Sequence, residues 1–94
     1  MKIRELLSDE SKWTKGVVAR DKLGIALGPR NEKAVCWCLL GAAVRCYDYS
    51  PQYSEVIWKI RKALGLVKPL TSEWNDDPAR TFAEVKALVE ELDV

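Results

Sequence analysis

Histidine is absent from this sequence, and its absence removes several kinds of chemistry. None of the 94 residues is histidine, the side chain whose unperturbed pKa lies nearest neutral pH. Cys–His and Ser–His catalytic pairs are therefore excluded, and the most common zinc ligand is missing. We expect no metal site, no cofactor and no catalytic residue, and we predict a protein that is not an enzyme.

Cysteine, net charge and long apolar runs are also scarce. The three cysteines, Cys36, Cys38 and Cys46, are odd in number and lie in one apolar segment, which predicts reduced, buried thiols and a cytoplasmic location. A net charge of +1 produces no overall electrostatic field that would attract nucleic acid. The longest apolar run, residues 34–44, has about half the length of a membrane span. We expect neither nucleic acid nor membrane as a partner.

The remaining composition is that of a small folded domain. Hydrophobic residues make up 48% of the chain and charged residues 31%, values typical of a globular protein. We predict one domain, residues 1–94, that is mainly α with minor β. Its expected form is a compact bundle of about four helices with a small β-hairpin and one central buried helix.

Helix start and stop signals are clearest in the C-terminal half. Ser50, followed by a proline at the first helical position, and Gly65 predict the two ends of one helix. Thr81 and Glu84 form a T-x-x-E capping box, which predicts a last helix over residues 82–92.

The N-terminal half gives weaker signals. Apolar spacing predicts a short helix over residues 2–11, and turn residues predict a hairpin over residues 16–28. A nearly continuous apolar pattern predicts the central helix over residues 32–47. Gly41 lies in a stripe of small residues on that helix, which indicates a close approach by another segment. One further helical turn is predicted over residues 71–74.

The stretch "CWC", residues 36–38, is similar to a metal-binding motif. On the predicted helix, however, positions i and i+2 point to different faces, so the two thiolates could not share one ion. We therefore interpret Cys36 and Cys38 as core residues.

The stretch "EWNDDPARTFAEV", residues 73–85, is consistent with a purely structural role. Asn75 or Asp76 can close an Asx-turn, and Thr81 caps the last helix. Trp74 can fill the core and hold the preceding linker in place. This interpretation leaves only Arg80 without a structural task.

The same stretch also permits a binding site. A guanidinium beside a helix N-terminus is a receptor for phosphate or carboxylate, and Arg80 has that position. Trp74 could stack on a base while Asn75 reads its edge. Asp76 and Asp77 compete for the same arginine, so we expect an Arg–Asp pair as the more common outcome.

A second arginine extends the candidate site. The stretch "ARD", residues 19–21, is either a solvated hairpin turn or a segment that directs Arg20 toward the site of Arg80. The candidate ligand-binding residues are Trp13, Arg20, Asp21, Trp74, Asn75, Asp76, Arg80 and Thr81.

Three stretches, "KWTKGVVARD", "AVCWCLLGAAVR" and "EWNDDPARTFAEVKALVEEL", together resemble the layout of a family of small uncharacterised bacterial and phage proteins. The resemblance covers residues 12–92, and its most specific part is the last stretch. Ala79 stands where the family usually has glycine, and a positive φ there would be strained. The resemblance implies a fold and a gene context, and it implies no activity.

The function that these observations favour is non-enzymatic binding. We expect a phage- or mobile-element-encoded protein that binds and inhibits a host defence protein, with Tyr49, Tyr53 and Trp58 as interface anchors. The first alternative is sequestration of a nucleotide or another small anion at the Arg/Asn/Trp cluster.

Two further alternatives remain open at this stage. A small enzyme could use Asp76 or Asp21 as a base, with Arg80 and Arg20 binding an anion. A homodimer could form through the small-residue stripe that contains Gly41.

Overall fold

Five α-helices and a two-stranded antiparallel sheet form the described part of the computed structural model, which comprises residues 1–65 and 71–94. The architecture is mainly α with minor β, as predicted. In chain order the elements are α1 (Ile3–Leu6), a 3-10 turn (Glu10–Lys12), β1 (Ala19–Arg20), β2 (Cys36–Trp37), α2 (Leu39–Tyr47), α3 (Pro51–Leu64), α4 (Thr71–Asp76) and α5 (Phe82–Leu92).

Helix α2 occupies the centre of the molecule. It contacts α1, α3, α4 and β2, and five of its residues are buried: Leu39, Gly41, Ala42, Ala43 and Val44. Side chains of α1, α3 and α5 complete the core around it, among them Ile3, Ile60, Val85 and Val89. The prediction of one central buried helix is confirmed.

The predicted start of that helix is wrong. Residues 32–38 are not helical, and Cys36 and Trp37 pair with Arg20 and Ala19 in the sheet. The helix begins at Leu39 because the Cys38 thiol caps it, accepting the Gly41 N–H at 3.3 Å. A run that is apolar on every side carries no helical period, so its pattern cannot separate a buried strand from a buried helix.

Cys36 and Cys38 lie outside the helix. The prediction that they point to different faces of one helix, and so could not share a metal ion, was therefore also wrong. The three cysteines are free thiols, and Cys38 is buried while Cys36 and Cys46 are half-buried. Within residues 1–65 and 71–94, no three His, Cys, Asp or Glu side chains are grouped so that they could hold a metal ion.

The predicted hairpin forms only in part. A single bridge joins Arg20 to Ala26, supported by hydrogen bonds from Asp21 N to Ile25 O and from Leu27 N to Ala19 O. The strand partner of β1 is β2, which comes later in the chain. A two-stranded hairpin is marginal alone, and pairing with β2 connects it to α2.

The first helix is shorter than predicted. It ends at Leu6, and a separate 3-10 turn covers Glu10–Lys12. Asp9 caps this turn by accepting the Ser11 N–H at 3.0 Å. A local side-chain acceptor of this kind competes with helix propagation, which explains why α1 does not extend to residue 11.

The C-terminal helices confirm the predicted boundaries. Ser50 caps α3, and Gly65 ends it in the left-handed conformation with φ 67. Thr81 and Glu84 form the predicted capping box, with Thr81 N bound to Glu84 Oε1 at 3.0 Å. Helix α4 covers Thr71–Asp76, two residues more than the predicted turn.

Gly41 confirms the predicted close approach. A Cβ at this position would lie 1.9 Å from the carbonyl oxygen of Val18, and the same oxygen accepts the N–H of Cys38 at 3.2 Å. The approaching segment is therefore the loop before β1. Since Gly41 and Ala42 are buried within the chain, the stripe offers no surface to a second copy.

Candidate functional site

Asn75 is the centre of a buried polar cluster. Its side chain is fully buried, and its Oδ1 accepts the Trp13 indole N–H at 2.6 Å and the Leu39 N–H at 3.0 Å. Its Nδ2 donates to the Thr14 carbonyl at 3.0 Å and to Asp76 Oδ1 at 2.9 Å. Leu39 is the first residue of α2, so Asn75 satisfies a helix N–H that has no partner inside the helix.

The loop after Trp13 is bound to the turn that follows α4. Asp76 Oδ1 accepts the Gly16 N–H at 2.9 Å. In the opposite direction, Lys15 Nζ donates to the Asp77 carbonyl at 2.8 Å and lies 5.3 Å from the Trp13 ring centroid. These contacts join two segments that are about sixty residues apart in sequence.

Arg80 lies over the ring of Trp74. Its guanidinium carbon is 3.9 Å from the Trp74 ring centroid, and Nε donates to the Trp74 carbonyl at 3.0 Å. Nη1 donates to Glu84 Oε2 at 2.8 Å. The predicted pairing of Arg80 with Asp76 or Asp77 was wrong, because one turn of α5 brings Glu84 within reach at i+4.

The same contacts determine the electrostatics of Glu84. Its pKa lies below the ordinary value, first because its carboxylate accepts the Thr81 backbone N–H and also because it lies beside Arg80. Glu84 thus links the guanidinium to the N-terminus of α5, where a negative charge is favoured.

Arg20 binds the same loop after Trp13 from the side of β1. Its guanidinium donates to Thr14 Oγ1 at 2.9 Å, to the Gly24 carbonyl at 3.0 Å and to the Lys15 carbonyl at 3.1 Å. The adjacent Asp21 does not pair with it in these contacts. Instead, Asp21 Oδ1 accepts two backbone N–H groups in its own turn, at 2.9 and 3.0 Å.

The structure therefore brings together Trp13, Asn75 and Asp76. Arg20 binds the same loop through Thr14 and Lys15, whereas Arg80 binds Trp74 and Glu84. Every buried side-chain nitrogen or oxygen in the described residues has a hydrogen-bond partner. The cluster can hold the loop, α2 and α4 in register, and the Trp74 ring already has a guanidinium on one face. Sequence analysis missed the capping role of Asn75, because its partner Leu39 is 36 residues away.

Ala79 fits the turn without strain. Among the described residues, the non-glycine residues with positive φ are Asp48 and Asp93, so Ala79 does not need the conformation that favours glycine. Its N–H donates to Asp77 Oδ1 at 2.9 Å, which closes the turn before Arg80.

The candidate partner-binding aromatics lie on two surfaces. Tyr49 is 74% exposed and packs edge-on against the half-buried Tyr53, with ring centroids 5.3 Å apart. Trp58 is 61% exposed, and Lys62 Nζ lies 4.8 Å from its ring centroid. Five residues of α-helix separate Tyr53 from Trp58, a rotation of about 140°, so the two do not form one patch.

Three cavities of about 430 to 490 Å³ lie away from the Asn75 cluster. One lies between α1, α3 and the C-terminal residues and is lined in part by Cys46, whose pKa burial raises to about 11. A second lies beside Leu23 and Val35, and a third beside Trp58. Arg20, Asn75 and Arg80 line none of these three.

Comparison with known proteins places the chain in a family. The model of a family of unknown function (DUF6197) matches residues 1–92. The chain belongs to this family. The resemblance to a family of uncharacterised proteins is thereby confirmed, and DUF6197 covers more of the N-terminus than the three sequence stretches indicated. No curated protein and no solved structure matches.

Among residues 1–65 and 71–94, no helix has both the length and the apolar character that a membrane span requires.

Proposed function

We propose that this protein is a non-enzymatic binding module whose α3 helix docks onto an acidic surface of another protein. The observation that carries the proposal is the exposed indole of Trp58, which lies on the solvent side of α3 beneath Lys62. Tryptophan is among the residues that dominate binding energy in protein interfaces.

The position of Trp58 supports a role in binding and gives it none in the core. The buried residues of α3 are Val56 and Ile60, and Trp58 is separated from Ile60 by about 200° around the helix axis. More than half of the indole is exposed in the folded protein, so burial of Trp58 contributes little to the free energy of folding. Covering that ring with a partner would remove a large apolar area from water.

The charges around Trp58 indicate the chemistry of the partner. Lys62 lies over the ring, and Lys59 lines the adjacent groove of about 440 Å³ together with Ser54, Glu55 and Trp58. Two lysines against one glutamate favour a partner surface with excess negative charge, which would also accelerate encounter.

The Asn75 cluster supports the preference for a protein partner over a nucleotide. Its buried polar atoms already have partners within the chain. A base stacking on Trp74 would compete with Arg80, and a phosphate at Arg80 would compete with Glu84. Sequestration of a nucleotide therefore requires the loss of several existing contacts.

A more specific partner follows from the sequence interpretation. We propose a host protein as the target, and inhibition of a host defence protein by a phage- or mobile-element-encoded chain stays a prediction. Tyr49 and Tyr53 lie on another surface than Trp58 and are not part of the proposed interface.

The test is capture followed by quantitative binding. Tagged wild type is used to isolate a partner from host lysate, and the purified partner is titrated against wild type, Trp58→Ser and Lys62→Glu. We expect each variant to weaken binding by tenfold or more, about 1.4 kcal/mol. Lys22→Glu is the matched control, because this exposed lysine lies at the hairpin tip. Equal affinity for wild type and Trp58→Ser would overturn the proposal.

A further inference from the structure

The exposed face of α5 carries two alanines followed by two glutamates. Ala83 and Ala87 lie four residues apart, so they share one face of the helix, and both are exposed. Glu90 and Glu91 continue that face toward the end of α5 and are exposed as well. Because an alanine side chain ends at Cβ, this part of α5 can receive a large side chain from a neighbouring helix.

The two glutamates give the α5 face an excess of negative charge. In the part of the chain that the structure describes, the acids that form ion pairs are Asp48, Glu84 and Asp93. The nearby base Lys86 is half-buried and directs Nζ toward the Ser8 carbonyl at 3.5 Å. Glu90 and Glu91 are therefore available to bases of another molecule.

The Trp58 surface of α3 has the opposite character. Trp58 is 61% exposed, and Lys62 Nζ lies 4.8 Å from its ring centroid. Lys59 is exposed and lines the adjacent groove. Among the described residues, neither lysine forms an ion pair. One surface thus presents a large apolar side chain with two bases, whereas the α5 face presents small side chains with two acids.

Helix geometry brings the complementary groups of these two surfaces together. Two parallel helices, an α3 and an α5, can be placed with Trp58 opposite Ala87. Lys62 and Glu91 each lie about one turn further along their helices, so they come opposite each other. Glu55, the acid of the Trp58 groove, precedes Trp58 and therefore lies away from the two glutamates, which follow Ala87.

Both surfaces face solvent in one chain, so this contact requires a second molecule. We propose that the Trp58 surface of one copy docks onto the α5 face of a second copy, with Trp58 against Ala87 and Lys62 against Glu91. The contact joins two different surfaces, so it is heterologous and can repeat from one molecule to the next. One helix pair buries much less area than an obligate interface, and we expect weak, reversible association.

Self-association and partner binding use the same Trp58 surface, and in this respect the inference rests on the proposed function. A second copy that covers Trp58 lowers the amount of this surface that is free for another protein. Self-association also requires the α5 face, whereas the proposed partner contact does not. Substitutions on α5 therefore distinguish the two proposals.

Sedimentation velocity of the full chain from about 1 µM to about 1 mM tests the self-association. We expect wild type to shift from monomer to larger species across this range. Glu91→Lys places two bases together, so it should raise the dissociation constant at least tenfold. Glu32→Lys is the matched control, because it makes the same change of charge at an exposed position away from both surfaces. A wild type that remains monomeric throughout the range would overturn the proposal.

A mixing experiment separates a lost contact from a lost fold. Lys62→Glu alone brings two acids together and Glu91→Lys alone two bases, so neither variant should associate with itself. In an equal mixture, the new glutamate of the first variant faces the new lysine of the second. The unchanged Lys62 of the second variant then faces the unchanged Glu91 of the first. The mixture should therefore associate, and a mixture that stays monomeric would overturn the proposal.

Partner affinity keeps this proposal separate from the proposed function. Glu91→Lys leaves α3 unchanged, so it should bind the partner at least as tightly as wild type does. Trp58→Ser should weaken both partner binding and self-association at least tenfold. A Glu91→Lys variant that self-associates as wild type does would overturn the self-association alone. A Trp58→Ser variant that loses self-association but keeps its partner affinity would overturn the proposed function alone.

Discussion

The indole N–H of Trp13 donates a 2.6 Å hydrogen bond to Asn75 Oδ1, across 62 positions of sequence. The same oxygen accepts the first N–H of α2. One buried amide therefore connects the N-terminal loop, the central helix and α4. A buried polar network of this kind loses free energy of folding when one of its groups is left without a hydrogen-bond partner.

Replacing Asn75 with alanine should destabilise the fold strongly. The change leaves the Trp13 indole N–H and the Leu39 N–H without their acceptor, and each unsatisfied buried group costs about 1–3 kcal/mol. We expect a loss of about 3 kcal/mol or more in the free energy of unfolding, measured by urea denaturation. Trp13→Phe removes one donor only and should cost less, while equal losses for both variants would contradict the central role of Asn75.

Gly41→Ala should be destabilising although alanine is the better helix former. Helix propensity alone predicts a gain of about 1 kcal/mol, but the added Cβ would lie 1.9 Å from Val18 O. The backbone must move, so we expect a net loss of about 2 kcal/mol or more. Gly28→Ala is the control, because its added Cβ meets nothing within 4 Å. A stabilised Gly41→Ala in thermal melts would exclude this packing.

Arg80 should contribute to stability and not to nucleotide binding. Arg80→Ala removes the Trp74 stacking contact and two hydrogen bonds, a loss of about 1–2 kcal/mol. That corresponds to a decrease in melting temperature of at least about 4 °C. Arg80→Lys should recover only part of it, since the planar fork is lost. Nucleotides and phosphate should leave the wild-type melting temperature unchanged, and a clear increase that Arg80→Ala abolishes would favour the anion site.

The capping box should make stability depend on pH in the acid range. The folded-state pKa of Glu84 lies below its ordinary value of 4.5, so the carboxylate stabilises the fold above that pH and loses this effect as the pH falls through the folded pKa. The melting temperature should therefore fall between about pH 5 and about pH 3. Glu84→Gln should flatten part of this decrease, and an unchanged slope would contradict the assignment.

Local signals explain which parts of the fold could be predicted. Ser50 and Gly65 at the ends of α3, and Thr81 at the start of α5, each bind a group three or four positions away in the chain. These helix start and stop signals can therefore be recognised from the sequence alone. Gly41 was also recognisable as a packing position, although its neighbour Val18 was not.

Long-range pairing explains the errors. The strand state of Cys36 and Trp37 depends on hydrogen bonds to β1, and apolar patterning does not identify that partner. Asn75 suited either an Asx-turn or a ligand site when considered locally, and three of its four hydrogen bonds come from tertiary structure. Arg80 was assigned an aspartate partner because the acids precede it, whereas helix geometry brings Glu84 to it.

Residues 73–85 form a structural cluster, and we propose that binding takes place at Trp58. The most direct measurement pairs the melting temperature with partner affinity for Asn75→Ala and Trp58→Ser. We expect Asn75→Ala to melt well below wild type, and Trp58→Ser to melt within about 2 °C of it and to lose at least tenfold in partner affinity. A Trp58→Ser variant that binds the partner as wild type does would show that the interface lies elsewhere.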